Sequence, residues 1–243
     1  MEINNRFGTF SSSSIWKLMT KDRTGTGNGA PAKKYIKQVQ YELNLGRPLN
    51  KEVDSIEILW GKMNELRVFQ KLSMEYSLIS KNRLFHPEIK YWSGAPDLIN
   101  KNEMVVGDIK CPYSIEMFCD KLKALANIKT YKEEFPEDYW QHISNSILLE
   151  KNGCEIKYFE AIIYMPYLSE IEEIKQYAVS DEIEYSNFKN EYTRFYYAKV
   201  EELPYLLDGG HYRNINIIRW EINPADKNLL TEKIIKAGEL LLK

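Results

Sequence analysis

The amino-acid sequence predicts an α/β fold in which helices flank a central mixed sheet. Helical periodicity marks both ends of the 243-residue chain, and a hairpin pattern with further strand patterns lies between them. An order of helices, hairpin, helices, strands and a closing helix is typical of a layered domain built on one sheet. The chain is also long enough to bury one substantial hydrophobic core.

The N-terminal segment reads as helix, loop and helix. Ser11 to Thr20 offers several hydroxyl caps ahead of apolar residues at helical spacing. A second helix is predicted from Ala32 to Leu45, because Gly46 follows as a C-terminal cap. The loop between them, Lys21 to Pro31, contains GTGNG, but no strand precedes it and GxGxxG spacing is missing, so it does not predict a dinucleotide site.

A long amphipathic helix is predicted next, beginning at Asp54 or Ser55 and ending near Tyr76. Glu65 falls at the edge of its apolar stripe, one turn after Gly61. The glycine costs the helix about 1 kcal/mol relative to alanine and leaves space for another group to approach the backbone near Glu65. The residues expected to face the core are Ile56, Leu59, Met63, Leu66 and Phe69.

Two extended segments joined by a turn follow. Ile89 to Ile99 and Met104 to Cys111 read as strands, and the polar run from Asn100 to Glu103 supplies a hairpin connection. Ser114 then caps a helix that continues to about Asn127, and another helix spans Pro136 to Glu150. These patterns predict a hairpin followed by helices that can cover it.

The C-terminal part contains further strand patterns and ends in a helix. Glu155 to Met165 alternates as a strand, and more strands are predicted over Arg194 to Val200 and Asn214 to Ile222. Asn223 and Pro224 open an amphipathic helix. Its expected core residues are Leu229, Leu230, Ile234, Ile235 and Leu240.

Composition places the chain among ordinary globular proteins. Hydrophobic residues make up 44% and charged residues 28% of it, which excludes a disordered, collagen-like or coiled-coil protein. The longest apolar run, Ala161 to Leu168, is far below the roughly 18 residues of a membrane span, and the N-terminus lacks a signal-peptide pattern. Three cysteines without CxxC spacing fit a reducing compartment. We therefore expect a cytoplasmic protein with no membrane partner.

Charge is distributed unevenly along the chain. The formal net charge is −2, yet residues 1–51 contain nine basic and three acidic side chains, a local excess of +6. Ser169 to Glu191 has the opposite bias, with seven acidic residues against two lysines. Such asymmetry is typical of a protein with one basic face for a polyanion, although solvated faces of both signs explain the charges equally well.

A cluster of charged side chains falls on the predicted hairpin. Asp108 and Lys110 are two residues apart on one strand and so point to the same face, and Asp97 lies on the partner strand near the same end. Two carboxylates this close favour a cation between them, and hard divalent cations prefer oxygen ligands. A lysine beside that metal can activate water for phosphodiester cleavage. Alone, the Asp-x-Lys pattern is common on strands and is more typical of a surface ion pair worth under about 1 kcal/mol.

Two further polar residues lie on helices that can reach this cluster, Glu65 before the hairpin and Gln141 after it. With them, the sequence resembles the phage lambda exonuclease-type (YqaJ-like) viral recombinases of the PD-(D/E)xK nuclease superfamily. The resemblance runs from Arg6 to the C-terminus. It is carried by five blocks in order: RFGTFSSSS (6–14), WGKMNE (60–65), GAPD (94–97), GDIKCPYS (107–114) and YWQ (139–141).

The resemblance implies a restriction-endonuclease-like core and a Mg²⁺-dependent exonuclease. Such an enzyme degrades one strand of double-stranded DNA from its 5′ end and leaves a 3′ single-stranded tail for phage-type recombination. Arg6 with Ser13 resembles the pocket for the 5′ phosphate, for which a bidentate guanidinium is well suited. Ser11 and Lys17 belong to the same DNA-binding segment. The implied partners are DNA ends, a single-strand annealing protein and further copies in a trimeric ring, in a bacterial host of a phage or prophage.

The resemblance also assigns the metal site. Asp97 and Asp108 are implied to bind Mg²⁺, for which Mn²⁺ can substitute, and two ions are expected. The main-chain carbonyl of Ile109 is a further implied ligand. Glu65 is implied to support the metal, directly or through water.

Lys110 is implied to position and activate the attacking water, and Gln141 to hold that water and the lysine in place. Two positions depart from the family pattern. Ala95 stands where a serine is common, which removes one hydroxyl from the end-binding pocket. Asp108 replaces a commoner glutamate and has a shorter reach.

By this resemblance the whole chain, 1–243, is a single nuclease domain in four parts. They are a basic helical DNA-binding part (1–51), a catalytic core (52–166), an acidic insertion (about 169–212) and a closing strand and helix (213–243). The family pattern fits the insertion poorly.

Two alternatives stay open. One is a RecB- or Cas4-like DNA nuclease without an iron–sulfur cluster, because that cluster needs four cysteines. The other is a catalytically silent DNA-binding module. Cys111 and His142 adjoin the charged cluster, but we expect the cysteine to act as a small buried hydrophobe and the histidine to serve packing or solvent contact.

Overall fold

The computed structural model describes residues 7–49, 55–78, 83–180 and 189–241. A short strand, β1 (Phe10–Ser11), leads into a 3₁₀-helix (Ser12–Met19), so the first predicted helix is present in a tighter form. Helix α1 (Ala30–Leu45) begins two residues earlier than predicted, since its first turn accommodates Pro31. It ends, as predicted, at Gly46, whose φ of 64° favours glycine.

Helix α2 (Ile56–Leu72) ends before the predicted Tyr76, which instead buries its ring and donates a hydrogen bond to Glu160. The prediction of Leu66 as a core residue is wrong, because this side chain is 36% exposed. The buried stripe repeats in pairs every four residues, which leaves Leu66 beside it. Its members are Leu59, Trp60, Met63, Asn64, Arg67 and Val68.

Four short strands follow α2: β2 (Ser77–Leu78), β3 (Leu84–Phe85), β4 (Trp92–Gly94) and β5 (Leu98–Asn100). The predicted strand over Ile89–Ile99 is therefore two strands. Pro96 separates them, because it has no amide hydrogen to offer a sheet. β4 pairs with β1 in parallel and with β3 antiparallel, forming a three-stranded sheet.

Strand β6 (Val105–Lys110) forms the predicted hairpin with β5. Helix α3 (Ile115–Leu125) follows, with the Ser114 hydroxyl accepting a 3.2 Å hydrogen bond from the Met117 amide. α4 (Ile128–Glu134) was not predicted. The Asn127 side chain caps it by accepting from two amides of its first turn.

Helix α5 (Pro136–Lys151) matches its prediction and returns the chain to the sheet. Strand β7 (Tyr158–Tyr164) then pairs with β6 in parallel. Parallel neighbours need a crossover connection, and α3, α4 and α5 provide it.

Two α-helices lie in the described part of the predicted acidic insertion, α6 (Ile171–Tyr177) and α7 (Lys189–Tyr197), together with short 3₁₀-helical turns. The strand predicted over Arg194–Val200 is wrong. Tyr192 and Phe195 are three residues apart and both buried, which is helical spacing, and Phe195 packs edge-on against Trp60 at 5.4 Å between ring centroids.

The chain closes with β8 (Ile215–Glu221) and α8 (Pro224–Leu241), both as predicted. Leu230 and Ile234 of α8 are buried, as the helical pattern indicated. The pattern is too wide, however, because three of its predicted core residues are about 40% exposed. These are Leu229, Ile235 and Leu240.

The five-stranded sheet has the order β2-β5-β6-β7-β8, in which β6 and β7 are parallel and the other pairs antiparallel. One hydrophobic cluster joins one face of it to α1, α3, α5 and α8, and a second joins the other face to α2, α6 and α7. The predicted α/β fold with a central mixed sheet is confirmed. None of the described helices has the length and hydropathy to cross a membrane.

Candidate active site

Strand β6 carries the two charged residues at the centre of the candidate site. Its side chains alternate between the faces of the sheet, so Val105 and Ile109 join the cluster beneath α2. Asp108 and Lys110 point the other way, toward α5. Asp108 is only 1% exposed, and a carboxylate buried to this degree requires charged or hydrogen-bonding partners.

Asp97 lies directly before β5, at the end of the hairpin that carries Asp108. The strand register pairs Leu98 with Gly107, which brings the residue before Leu98 level with Asp108. The amide of Ile109 donates a 3.0 Å hydrogen bond to Oδ2 of Asp97. The structure thus brings the two carboxylates to one end of the hairpin, as the sequence pattern predicted.

Gln141 of α5 joins the two charged groups of β6 into one hydrogen-bonded unit. Nζ of Lys110 lies 2.6 Å from Oδ2 of Asp108 and donates a 3.1 Å hydrogen bond to Oε1 of Gln141. Nε2 of Gln141 in turn donates a 2.8 Å hydrogen bond to Oδ1 of Asp108. Each member therefore orients the other two.

Two carboxyl groups beside this unit, those of Glu65 and Asp97, have raised pKa values. Burial raises the pKa of the half-buried Glu65 to about 7, although the charge of Lys110 opposes the shift. The pKa of Asp97 is held well above its usual value by burial first, and then by the charges of Asp108 and Glu65. Raised pKa values with charged neighbours are typical of functional sites.

Lys110 is held in its charged form. Burial would lower its pKa, but the carboxylates of Asp108, Asp138 and Asp97 outweigh burial and raise the pKa above its usual value. A permanently charged ammonium can donate hydrogen bonds and stabilise negative charge, but it does not act as a proton acceptor near neutral pH.

The donor atoms of the site suit a hard divalent cation. Among the described residues, no three His, Cys, Asp or Glu side chains surround one point, so a cation would draw on main-chain carbonyl and water oxygens as well. Oδ2 of Asp108 is buried and lies 2.6 Å from the ammonium of Lys110, so a cation that binds this oxygen competes with the lysine. Oxygen-only donors favour Mg²⁺ or Mn²⁺. Within the described ranges, four carboxyl groups here interact with three ammonium groups, namely Glu65, Asp97, Asp108 and Asp138 with Lys62, Lys110 and Lys121.

The predicted DNA-binding residues lie on β1 and the 3₁₀-helix. Oγ of Ser11 is 3.4 Å from Oγ of the exposed Ser13, and the Ser11 amide donates a 2.8 Å hydrogen bond to the hydroxyl of Tyr35. Nζ of Lys17 lies 5.1 Å from the Tyr35 ring centroid. The structure thus places Ser11 and Lys17 against Tyr35, with Ser13 beside Ser11. Arg6 lies outside the described residues.

Three polar residues of this neighbourhood were not predicted. Tyr35 gave no signal, because a tyrosine at helical spacing looks like any core residue. Asp138 precedes Gln141 by three residues and therefore shares its face of α5, which was a usable signal. Lys121 of α3 pairs with Asp138, and only the folded chain brings these two residues together.

The two neighbours assigned to packing do pack. Cys111 is buried, and burial raises the pKa of its thiol well above its usual value, so the thiolate is disfavoured. His142 is fully buried and stacks on Phe159, with ring centroids 4.5 Å apart.

Three solved structures that resemble this chain are of exonucleases. An alkaline exonuclease from Laribacter hongkongensis matches with a TM-score of 0.61 and 13% identity, over 97% of this chain and 89% of its own. The crystal structure of its complex with dAMP gives the same score and identity over 98% and 90%. A phage-related exonuclease from Haemophilus somnus 129PT matches with a TM-score of 0.61 and 11% identity, over 96% and 93%.

No protein-family model and no curated protein sequence matches the chain at a significant level. With 11–13% identity to the solved structures, the likeness is one of fold. The chain shares the mixed α/β fold of these solved exonucleases. This confirms the fold that the five sequence blocks implied.

Proposed function

We propose that this protein is a metal-dependent exonuclease that hydrolyses phosphodiester bonds of double-stranded DNA. The observation that carries the proposal is the hydrogen-bonded unit of Asp108, Lys110 and Gln141 beside Asp97, at the sheet of a fold otherwise found in exonucleases. A purely structural role does not account for so many buried ionisable groups around one lysine.

In this proposal Asp97 and Asp108 hold Mg²⁺ or Mn²⁺, with two ions expected, and the carbonyl of Ile109 and Glu65 assist. The metal supplies Lewis-acid stabilisation of the phosphate and lowers the pKa of a bound water. Lys110, held in its charged form, orients the attacking water and stabilises the charge that develops on the phosphate.

Gln141 keeps the ammonium of Lys110 in place through its own hydrogen bonds to Lys110 and Asp108. A fixed ammonium lowers the cost of reaching the productive geometry, because less ordering is needed during the reaction. The side-chain amide carries no charge, so it orients both ions of the unit without competing for either.

We further propose that cleavage runs from 5′ to 3′ and leaves a 3′ single-stranded tail for phage-type recombination. Arg6, Ser11, Ser13 and Lys17 would bind the DNA end, and the contacts of Ser11 and Lys17 with Tyr35 and of Ser13 with Ser11 support this role. A single-strand annealing protein, a trimeric ring and a location in the cytoplasm of a phage-bearing bacterial cell belong to the same proposal.

An end-labelled linear duplex incubated with purified protein and Mg²⁺ tests the proposal. We expect release of mononucleotides from the 5′-ended strand and loss of at least about 100-fold of that activity in Asp97→Ala and Lys110→Ala. The exposed Glu133→Gln and Lys123→Ala are matched controls that should retain it.

The same experiment separates the alternatives. Salt-sensitive DNA binding without cleavage, across several divalent cations and end structures, would identify a silent binding module. Cleavage without a 5′ preference would favour a RecB- or Cas4-like nuclease. Comparing phosphorylated with hydroxyl 5′ ends tests whether the missing hydroxyl at Ala95 relaxes end recognition.

A further inference from the structure

A second carboxylate faces the central lysine from α5. Oδ1 of Asp138 lies 3.7 Å from Nζ of Lys110, compared with 2.6 Å for the nearer partner, Asp108. Asp138 is only 5% exposed and precedes Gln141 by three residues, so both side chains extend from the same face of the helix. Helix α5 therefore presents an amide and a carboxylate to the same ammonium.

Asp138 has an anchor of its own. Lys121 of α3 forms an ion pair and hydrogen bond with Oδ2 of Asp138. The ammonium of Lys121 also lies 4.4 Å from the ring centroid of Phe135, and its side chain is almost fully buried. One oxygen of Asp138 is thus tied to a fixed cation, and the other is directed at Lys110.

The charge of Asp138 is maintained despite its burial. Burial alone would raise its pKa, but Lys110 and Lys121 outweigh that effect and hold the pKa below the usual value. Buried ion pairs rarely improve stability over apolar residues of similar size, so stability alone does not explain this arrangement. Its geometry points instead to Lys110.

We propose that Asp138, anchored by Lys121, is a positioning residue that holds the ammonium of Lys110 when a cation occupies Asp108. This inference rests on the proposed function. The carboxylate of Asp108 would interact with two cations, because it is both the nearer partner of Lys110 and a candidate metal ligand. A cation at Asp108 competes with the ammonium, whereas Asp138 keeps one oxygen free for it.

A crystal structure of the wild-type protein with Ca²⁺, which binds oxygen ligands without requiring turnover, tests the geometry directly. We expect Nζ of Lys110 to move to within about 3 Å of Oδ1 of Asp138. An ammonium that stays on Asp108, or that leaves both carboxylates, would overturn the proposal. This measurement decides the role of Asp138 even if the protein does not cleave DNA, in which case the proposed function alone fails.

A double variant then separates positioning from stability. Asp138→Asn alone would leave the buried ammonium of Lys121 without its anionic partner, so Lys121→Met is combined with it. We expect the double variant to retain its melting temperature and its DNA affinity while kcat falls about 10- to 100-fold. Unchanged kcat in a stable double variant would contradict the proposal.

The chain offers a matched control in Lys132 and Asp226, another ion pair beside α5, with 2.6 Å between Nζ and Oδ1. The variant Lys132→Met with Asp226→Asn removes equal charge without touching Lys110, and it should retain kcat. An equal loss of kcat in both double variants would show a general effect of neutralisation and would overturn the proposal.

Discussion

Gln141 and Asp108 are 33 residues apart in sequence and meet through a 2.8 Å hydrogen bond from Nε2 of the amide to Oδ1 of the carboxylate. The amide oxygen simultaneously accepts from Lys110. The orientation of the glutamine side chain is therefore dictated by its two charged neighbours: NH₂ faces the anion and the carbonyl faces the cation. The geometry of β6 thus depends on a residue from a different layer of the fold.

Replacing Gln141 should impair turnover more than folding. We expect Gln141→Ala to lower kcat about 10- to 100-fold, because Lys110 and Asp108 lose the group that orients them. DNA affinity should change little. Steady-state hydrolysis with a binding isotherm and thermal unfolding checks this, and the exposed Gln176→Ala serves as control. A normal kcat would show that the two ions hold each other without the amide.

Asp97→Asn should stabilise the metal-free protein at neutral and higher pH. The folded pKa of Asp97 is raised, so the folded state favours the protonated carboxyl, and stability is lost as pH rises through that pKa. Asparagine is neutral and keeps an oxygen for the Ile109 amide. Urea unfolding in the presence of a chelator should show a gain near pH 8 that vanishes near pH 4.

Added Mg²⁺ should reverse that order. Mg²⁺ that binds the folded protein should raise its free energy of unfolding by about 2.7 kcal/mol at a Mg²⁺ concentration 100 times the dissociation constant. The Asp97→Asn variant should lose most of this gain. The exposed Asp120→Asn should behave as wild type in both conditions. Equal stabilisation of all three proteins by Mg²⁺ would place the metal elsewhere.

Gly61→Ala should stabilise the protein by about 1 kcal/mol, which corresponds to roughly 2–4 °C in melting temperature. A Cβ at Gly61 would have a single described neighbour within 4 Å, Oε1 of Glu65 at 3.8 Å. In contrast, Gly107→Ala should destabilise, because its Cβ would press on Leu98 at 3.3 Å within the hairpin. Differential scanning calorimetry of both variants tests the pair. A stable but inactive Gly61→Ala would indicate that substrate uses the space beside Glu65.

His142 should make stability fall between about pH 6.5 and 4. Burial lowers the pKa of His142 from the ordinary 6.5 to about 4. In this interval the imidazole is therefore protonated in the unfolded chain and neutral in the folded chain. The contribution to the slope approaches about 1.4 kcal/mol per pH unit. Urea unfolding at several pH values should give a shallower slope for His142→Gln. Parallel pH profiles for the two proteins would contradict a buried neutral histidine.

The hairpin and its site residues were predictable because their spacing is local. Alternation alone places Asp108 and Lys110 on one face, and strand register brings Asp97 level with them. Helix α7 was mistaken for a strand because its aromatic residues favour strands intrinsically, and only packing on Trp60 fixes the helix.

Partners brought together by distant packing were beyond the sequence patterns. Asp138 and Lys121 belong to different helices, and no local sequence pattern indicates that they form an ion pair. The same holds for Tyr35, whose hydroxyl accepts a hydrogen bond from the Ser11 amide, 24 residues away in sequence. Local spacing therefore predicts the hairpin, whereas its supporting residues depend on how the helices pack against the sheets.

The parallel pairing of β6 with β7 affects the order in which the contacts of the candidate site can form. Asp97, Asp108 and Lys110 can reach register through a short hairpin, which is the faster kind of contact. Gln141 belongs to α5, part of the crossover connection between β6 and β7, and this connection is complete only when β7 has paired with β6. A ribosome-bound chain that stops short of Tyr164 therefore lacks the contacts of Gln141 with Asp108 and Lys110, and the candidate site is completed late in synthesis.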